Sequence, residues 1–488
     1  MGLFIVVESD IKVNQQINEA ISSLDKQAVI KNYLDLKELY ADLATNKIKD
    51  DISLAIIEFS NKKITEWPVE IFEFFKKFAN DEFPGLNSDF KILFSSFDDE
   101  KLNHRTLLLM PAYNFVFKPL DELILKETIN AALNFKSKLA PIELKSTKSS
   151  SSIGILKVVE LFSVSELGFT TYSDVQLVEG SVSKYFCTIF NHERKRSAWA
   201  QCLRSFAHPK KANCFVNQFQ FYGVDTAFLM TVRKFIVQQK NQKTSEFALD
   251  LTADEATLKI KIGLLAMDLE TAAKLQEDLL HHFKNAEVEI IHFSKAEDLA
   301  DKTVLQTCDT VLNLSEILPE EFIKLTKPNA KLFWLNSKME NEELRKELAL
   351  VYKDLQYLPL DRSYLYKKLK IHHPELLEKE VSTFLTVTTS EKMKSANLIK
   401  ISEISEIFVN FNYARELPPK ANREFIFISE DETNLVELPA FCHFSEPMKS
   451  EKGVFFHQFV FFGMTDHFLK QIRLWITQDY ILKNKKDK

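Results

Sequence analysis

The stretch NQFQFYGVDTAFLMTVRKFIVQQK at 217–240 returns as HQFVFFGMTDHFLKQIRLWITQDY at 457–480. Gly223 and Gly463 lie 240 positions apart, and one ungapped shift of that size aligns the surroundings. Phe219 falls on Phe459, Phe221 on Phe461, Phe228 on Phe468, Leu229 on Leu469, Arg233 on Arg473 and Ile236 on Ile476. Upstream, Ala200 falls on Ala440, Cys202 on Cys442, Ser165-Glu166 on Ser405-Glu406 and Pro119-Leu120-Asp121 on Pro359-Leu360-Asp361. A register held over that distance predicts an internal duplication of a two-domain unit. The repeated stretch itself reads as a strand, a turn at the glycine, and a closing amphipathic helix. Its apolar residues first alternate, then recur every three or four positions.

Each half divides again. In residues 1–140 the short apolar runs LFIVV (3–7), LAIIEF (54–59), KILFS (91–95) and NFVFK (114–118) alternate with helical patterns. That rhythm predicts βα units around a parallel sheet. KSTKSSSS at 145–152 is polar and turn-rich, so 141–152 is expected to be a linker. Residues 153–245 read mostly as strands before a helix, 258–372 return to the βα rhythm, and 380–483 form a second strand-rich block. The segment ITEWPVEIFEFFKKFANDEFPG at 64–85 carries Phe72, Phe75 and Phe78 as a stripe that suits burial, or a partner-binding face.

A net charge of −6 over 488 residues does not suit a dedicated nucleic-acid binder. The start GLFIVV meets Glu8 too early for a signal peptide, and no apolar run is long enough to insert in a membrane. The five cysteines lack paired spacing and read as reduced thiols of a cytoplasmic protein. With nine glycines in the whole chain there is no phosphate-cradling loop. Cys202, His208 and Cys214, like Cys442, His443 and His457, fall short of a four-ligand metal set.

The first block resembles a response-regulator receiver domain. VVESD (6–10) stands where that family has its acidic pair, LAIIEFS (54–60) where the third strand delivers the phosphoacceptor, ILFSS (92–96) at the hydroxyl-bearing fourth strand, and FVFKPLDEL (115–123) at the Lys-Pro segment. The resemblance implies a phosphorylation site at Glu8, Ser9, Asp10, Glu58, Ser95 and Lys118, in degenerate form. Glu58 stands for the aspartate, its carboxylate one methylene farther out. Lys118 is expected to pair with Glu58 instead of contacting a phosphoryl group. In the second such block Ala266 and Met267 replace the acids, Asn313 the acceptor and Leu358 the lysine.

The strand-rich blocks resemble PilZ domains, β-barrels that bind cyclic di-GMP. The family's DxSxxG appears as Ser163-x-Ser165-x-x-Gly168, then as Glu403-x-Ser405-x-x-Phe408. The upstream arginine pair is absent, and Lys145 and Lys148 supply the only charge there. Lysine does not reproduce the planar fork of arginine. The resemblance implies Lys145, Lys148, Ser163, Ser165 and Gly168 as dinucleotide-binding residues, while the serines read equally as turn formers. Between the copies, Arg194, Lys195 and Arg196 stand opposite Asp431 and Glu432, a contrast that suits partner binding or a homodimer, or simple loop drift.

The expected architecture is an α/β and β multidomain chain. Two flavodoxin-like, receiver-type doubly wound sheets alternate with two PilZ-like β-barrels, each barrel ending in a helix. The expected function is a non-enzymatic signalling adaptor acting on unidentified protein partners, with no metal. The alternative is a cyclic di-GMP receptor.

Overall fold

A computed structural model describes residues 2–45, 48, 52–59, 91–97, 112–149, 151–191, 197–239, 259–265, 268–283, 287–293, 305–314, 326, 329–336, 342–373, 387–389, 391–428 and 435–486. The 64–85 segment with Phe72, Phe75 and Phe78 lies outside the described residues.

The chain opens with β1 (Leu3–Val7), α1 (Ile11–Leu24), β2 (Val29–Tyr33), α2 (Leu36–Ala44), β3 (Ile52–Glu58), β4 (Lys91–Phe97), β5 (Asn114–Lys118) and α3 (Glu122–Leu133). The five strands are parallel, in the order β2-β1-β3-β4-β5. That is the doubly wound order 2-1-3-4-5. β1 and β5 are buried along their whole length, which is why they read as continuous apolar runs and not as alternation. Asp10, Asp35 and Asp121 cap α1, α2 and α3, each accepting hydrogen bonds from first-turn N–H groups.

Next come β6 (Thr147–Lys148), β7 (Ser152–Val164), β8 (Gly168–Ser173), β9 (Val182–Phe186), β10 (Ser197–Ala207), β11 (Phe215–Phe221) and α4 (Thr226–Gln239). A second parallel sheet follows: β12 (Lys259–Leu265), α5 (Leu269–His282), β13 (Glu287–Phe293), β14 (Thr310–Asn313), β15 (Lys331–Asn336), α6 (Glu342–Val351), β16 (Asp354–Tyr357) and α7 (Arg362–His372). Its order, β13-β12-β14-β15-β16, is again 2-1-3-4-5. The chain closes with β17 (Val387–Thr388), β18 (Lys392–Ile404), β19 (Phe408–Tyr413), β20 (Asn422–Ile428), β21 (Leu435–Pro447), β22 (Phe455–Phe461) and α8 (Asp466–Lys486). The bounds of β6, β7, β8 and β11 recur 240 positions later in β17, β18, β19 and β22.

The compact units do not follow the linear blocks. One unit comprises Met1–Leu156 with Leu398–Lys488; the other is Lys157–Asn397. In the first unit the β1–β5 sheet accompanies antiparallel strands β18–β22, and residues 141–156 join those strands. Thr147 and Lys148 pair with Ile404 and Glu403, and Gly154–Leu156 pair with Glu424–Ile426. Within the expected 141–152 linker, Thr147, Lys148 and Ser152 thus stand in strands. The buried Glu127 carboxylate also accepts the N–H groups of Ile142, Glu143 and Leu144, at 2.7, 2.7 and 3.0 Å. In the second unit the β12–β16 sheet accompanies β7–β11, and Lys394–Ala396 pair with Lys184–Phe186 of β9. Thus 153–245 and 380–483 are not self-contained blocks: each borrows edge pairing from the other half of the chain.

Within each unit the last strand of the parallel sheet docks on the turn that follows the repeated antiparallel strand. In the first, Val116 bridges Met464. Asn114 donates to the Phe461 carbonyl and accepts from Gly463 N–H, both at 2.9 Å. In the second, Val224 bridges Gln356 and Gly223 N–H donates to Asp354 at 3.3 Å. Gly223 and Gly463 both have φ of +64°, a conformation open to glycine without strain. The contact covers a sheet edge that would otherwise present unpaired backbone groups. Phe219, Phe221, Phe228, Leu229, Val232 and Ile236 are buried, as are Phe459, Phe461, Leu469, Ile472 and Trp475.

Candidate functional site

The C-terminal ends of β1, β3, β4 and β5 bring the acidic pocket together. Parallel register makes this possible: Glu8 lies just past β1, Glu58 and Lys118 are the last residues of β3 and β5, and Ser95 of β4 pairs beside Glu58. Lys118 Nζ lies 2.8 Å from Glu8 Oε1 and 2.9 Å from Glu58 Oε1. Ser95 Oγ donates to Glu8 Oε2 at 3.0 Å. The Ser9 N–H and hydroxyl both donate to Glu58 Oε2, at 3.1 and 2.5 Å. Asp10 N–H donates to Glu8 at 3.0 Å. The Asp10 carboxylate turns away to cap α1 through Lys12 and Val13 N–H. Phe97 presents its ring 5.0 Å from the Lys118 ammonium.

Every carboxylate oxygen of Glu8 and Glu58 thus has an internal donor. Burial pushes the Glu58 carboxyl up, but hydrogen bonds from Ser9 and Lys118 and the lysine charge outweigh it, and the group is held below its ordinary range. Burial likewise pushes Lys118 down, but both glutamates more than compensate and hold it above its ordinary value. The expected pairing of Lys118 with Glu58 is present. The sequence did not reveal that Glu8 is an equal partner of Lys118, or that Ser9 closes the far side of Glu58.

In the second sheet Asn313 is fully buried and donates to the Tyr352 hydroxyl at 3.2 Å, while Leu358 is 42% exposed. Ala266 and Met267 lie outside the described residues. A buried ion pair instead occupies the docking edge of this sheet: Lys368 Nζ lies 3.3 Å from Asp354, and both side chains are solvent-inaccessible. The corresponding positions in the first sheet are Thr128 and Asn114.

The residues singled out for dinucleotide binding are divided between the two compact units. Lys145 and Lys148 are exposed members of the first unit, Lys148 sitting in β6 opposite Glu403. Ser163, Ser165 and Gly168 belong to the second unit. Ser163 is buried in β7. Ser165 Oγ accepts the N–H groups of Leu167 and Gly168, at 3.3 and 3.2 Å. Ser405 does the same for Ile407 and Phe408, at 3.2 and 3.1 Å. Both serines are turn formers. Gly168 is pressed against backbone: a Cβ there would lie 1.8 Å from the Phe219 carbonyl oxygen. Arg194, Lys195, Arg196, Asp431 and Glu432 lie outside the described residues.

All five cysteines are free thiols. Among the described residues, no group of three or more His, Cys, Asp or Glu side chains is placed to hold a metal ion, and no helix is long and apolar enough to cross a membrane.

No protein-family model and no curated protein matches the chain. Among solved structures, a response regulator receiver protein from Burkholderia phymatum is 16% identical, over 28% of this chain and 100% of its own, with a TM-score of 0.22. A response regulator receiver domain protein from Clostridium thermocellum is 15% identical over 28% of this chain and 95% of its own, with a TM-score of 0.22. A protein described as a putative pilus assembly-related protein from Burkholderia pseudomallei is 14% identical over 26% of this chain and 100% of its own, with a TM-score of 0.21.

Proposed function

We propose that this chain is a non-enzymatic bacterial signalling adaptor that works in the cytoplasm through protein–protein contacts. In this reading a receiver-like and PilZ-like pair was duplicated within the chain and then lost its phosphoryl and second-messenger chemistry. The observation that carries the reading is the double ion pair of Lys118. An acyl-phosphate site needs a carboxylate free to attack and acidic oxygens free to take a hard divalent cation. Here the ammonium of Lys118 and the donors of Ser9, Ser95 and Asp10 already engage both glutamates. A fixed internal cation and anion pair substitutes for a reversible modification, so the domain keeps one state and offers shape and surface.

Two measurements test this. Incubation with acetyl phosphate and magnesium, followed by intact mass analysis, is expected to leave the chain unmodified; a phosphoryl adduct on Glu58 would refute the adaptor reading. Calorimetry with cyclic di-GMP is expected to show no binding, and micromolar or tighter binding would make the chain a receptor.

A further inference from the structure

Contacts between the two halves of the chain recur with the roles of the halves exchanged. In the first unit Thr147 and Lys148 pair with Ile404 and Glu403; in the second, Val387 and Thr388 pair with Val164 and Ser163. Ser149 N–H donates to the Ser402 carbonyl at 3.1 Å, and Thr389 N–H to the Phe162 carbonyl at 3.0 Å. Gly154–Leu156 pair with Glu424–Ile426, and Lys394–Ala396 with Lys184–Phe186. Each second-unit partner lies 240 positions from its first-unit counterpart, with first-half and second-half residues interchanged. Surfaces that exchange roles in this way are self-complementary, as in a two-fold dimer. Backbone pairing alone would join two first halves, or two second halves, as readily as one of each.

The buried side chains at the docking strands break that equivalence. In the second unit Gln220 Nε2 donates to Gln201 Oε1 at 2.7 Å and to the Lys353 carbonyl at 2.9 Å. Gln220 Oε1 accepts from Lys368 Nζ at 3.3 Å and lies 3.1 Å from His372 Nε2. Both glutamines and Lys368 are buried. In the first unit the positions 240 away hold Val460 for Gln220, Phe441 for Gln201, Tyr113 for Lys353, Thr128 for Lys368 and Ala132 for His372. All five are buried too. Tyr113 meets Phe441 edge-on at 4.9 Å between centroids, and the Thr128 hydroxyl bonds within its own helix, to the Ile124 carbonyl at 2.7 Å. One docking surface is a hydrogen-bonded network; its counterpart is apolar and aromatic.

We infer, on the duplicated reading of the chain proposed above, that this network is a pairing code. Gln220, Gln201 and Lys368 direct the second half's sheet to the first half's strands and reject docking between like halves. Two second halves would bring Lys368 and His372 against Val460 and Phe441, which offer no side-chain acceptor. Two first halves would seal Gln201 and Gln220 against Ala132 and Tyr113. Either wrong pair buries polar groups without partners, whereas unlike halves satisfy both surfaces. Buried ionic and polar groups serve best in this register-setting role, at a cost in stability that the apolar first unit does not carry. The partner this interface fits is the unlike half, not a second copy of the same one.

The test uses the full chain carrying a protease site within residues 246–257. After cleavage the two fragments are unfolded together in urea, refolded by dilution, and identified as pairs by native mass spectrometry. Pairs of unlike fragments that exceed pairs of like fragments by about tenfold or more support the code. Gln201→Phe, Gln220→Val, Lys353→Tyr, Asp354→Asn, Lys368→Thr and His372→Ala together give both docking surfaces the first unit's chemistry, and this variant is expected to move the products towards a statistical mixture. Where the combined variant does not fold, Gln220→Val alone is expected to raise pairs of two first halves, because it removes the hub from the unlike pair and a buried amide from the like one. A parent that refolds to the statistical mixture, or variants that keep the parent's excess of unlike pairs, overturn the code. Neither outcome bears on the acetyl phosphate and cyclic di-GMP measurements, which test the adaptor reading separately.

Discussion

Arg473 reaches Asp121 at 3.2 Å although 352 positions of chain separate them, and it holds Glu406 at the same time. Its counterpart Arg233 makes the same pair of contacts, with Asp361 at 2.7 Å and Glu166 at 2.9 Å. In each unit the arginine belongs to one half of the chain and the distal aspartate to the other. The pairs are only partly buried, so water still screens them and neither can hold the two halves together by itself. The strand pairing between Thr147-Lys148 and Glu403-Ile404, and between Lys184–Phe186 and Lys394–Ala396, carries the exchange.

A protease site placed within residues 246–257 checks this directly. After cleavage the two fragments are expected to co-elute under native conditions and to separate only in denaturant, since each unit needs strands from both. Separation in native buffer would refute the exchanged arrangement.

Removing the cation from the acidic pocket leaves a buried carboxylate without its partner. Lys118→Met is expected to cost about 3–5 kcal/mol, with most of it recovered in the triple variant that also carries Glu8→Gln and Glu58→Gln. Urea unfolding followed by hydrogen exchange in β1 and β5 measures both. The pH dependence has a definite sign. The lowered Glu58 contributes stability that is present above the unfolded carboxyl value of about 4.3 and is lost as pH falls through the lower folded value. The raised Lys118 contributes stability present below about 10.4 and lost as pH rises through its folded value. Lys118→Met should abolish the alkaline limb.

The buried Lys368–Asp354 pair has a neutral counterpart in Thr128 and Asn114. Burial drives Asp354 up and Lys368 down, so each depends on the other to stay charged. Lys368→Thr alone is expected to destabilise the second unit by about 3–5 kcal/mol. Adding Asp354→Asn should restore stability to within about 1–2 kcal/mol of the parent. Urea midpoints of the single and double variants decide it. A double variant as unstable as the single one would show that the pair does more than neutralise itself.

His443 is fully buried, with Nδ1 2.9 Å from the Tyr113 hydroxyl, and burial pushes its pKa down to about 4. The unfolded chain binds the proton first, so stability falls as pH drops from about 6.5 towards 4, by about 3 kcal/mol over the window. His443→Asn keeps a partner for Tyr113 and should flatten that acid limb. An unchanged profile in stability measured from pH 7 to 4 would refute the assignment.

The sequence by itself determined the local elements and their register. Apolar runs buried on both faces fixed β1, β3 and β5. The strand–glycine–helix pattern around Gly223 and Gly463 fixed the closing motif. Strand ends at Glu58 and Lys118 were enough to foresee one ion pair, because residues at the ends of neighbouring parallel strands are adjacent whatever else the chain does. Tertiary structure alone decided which sheet docks on which strands. The docking edge at Asn114 and that at Asp354 are near-equivalent, as are the turns at Gly463 and Gly223, so either pairing satisfies every local rule. That choice put Lys145 and Lys148 in one unit and Ser163, Ser165 and Gly168 in the other. It also gathered Gln201, Gln220, Lys368 and His372 from remote parts of the chain into one network. Local patterns encode hydrogen-bond register and burial; a choice between two similar surfaces depends on packing over hundreds of residues, which no short window contains.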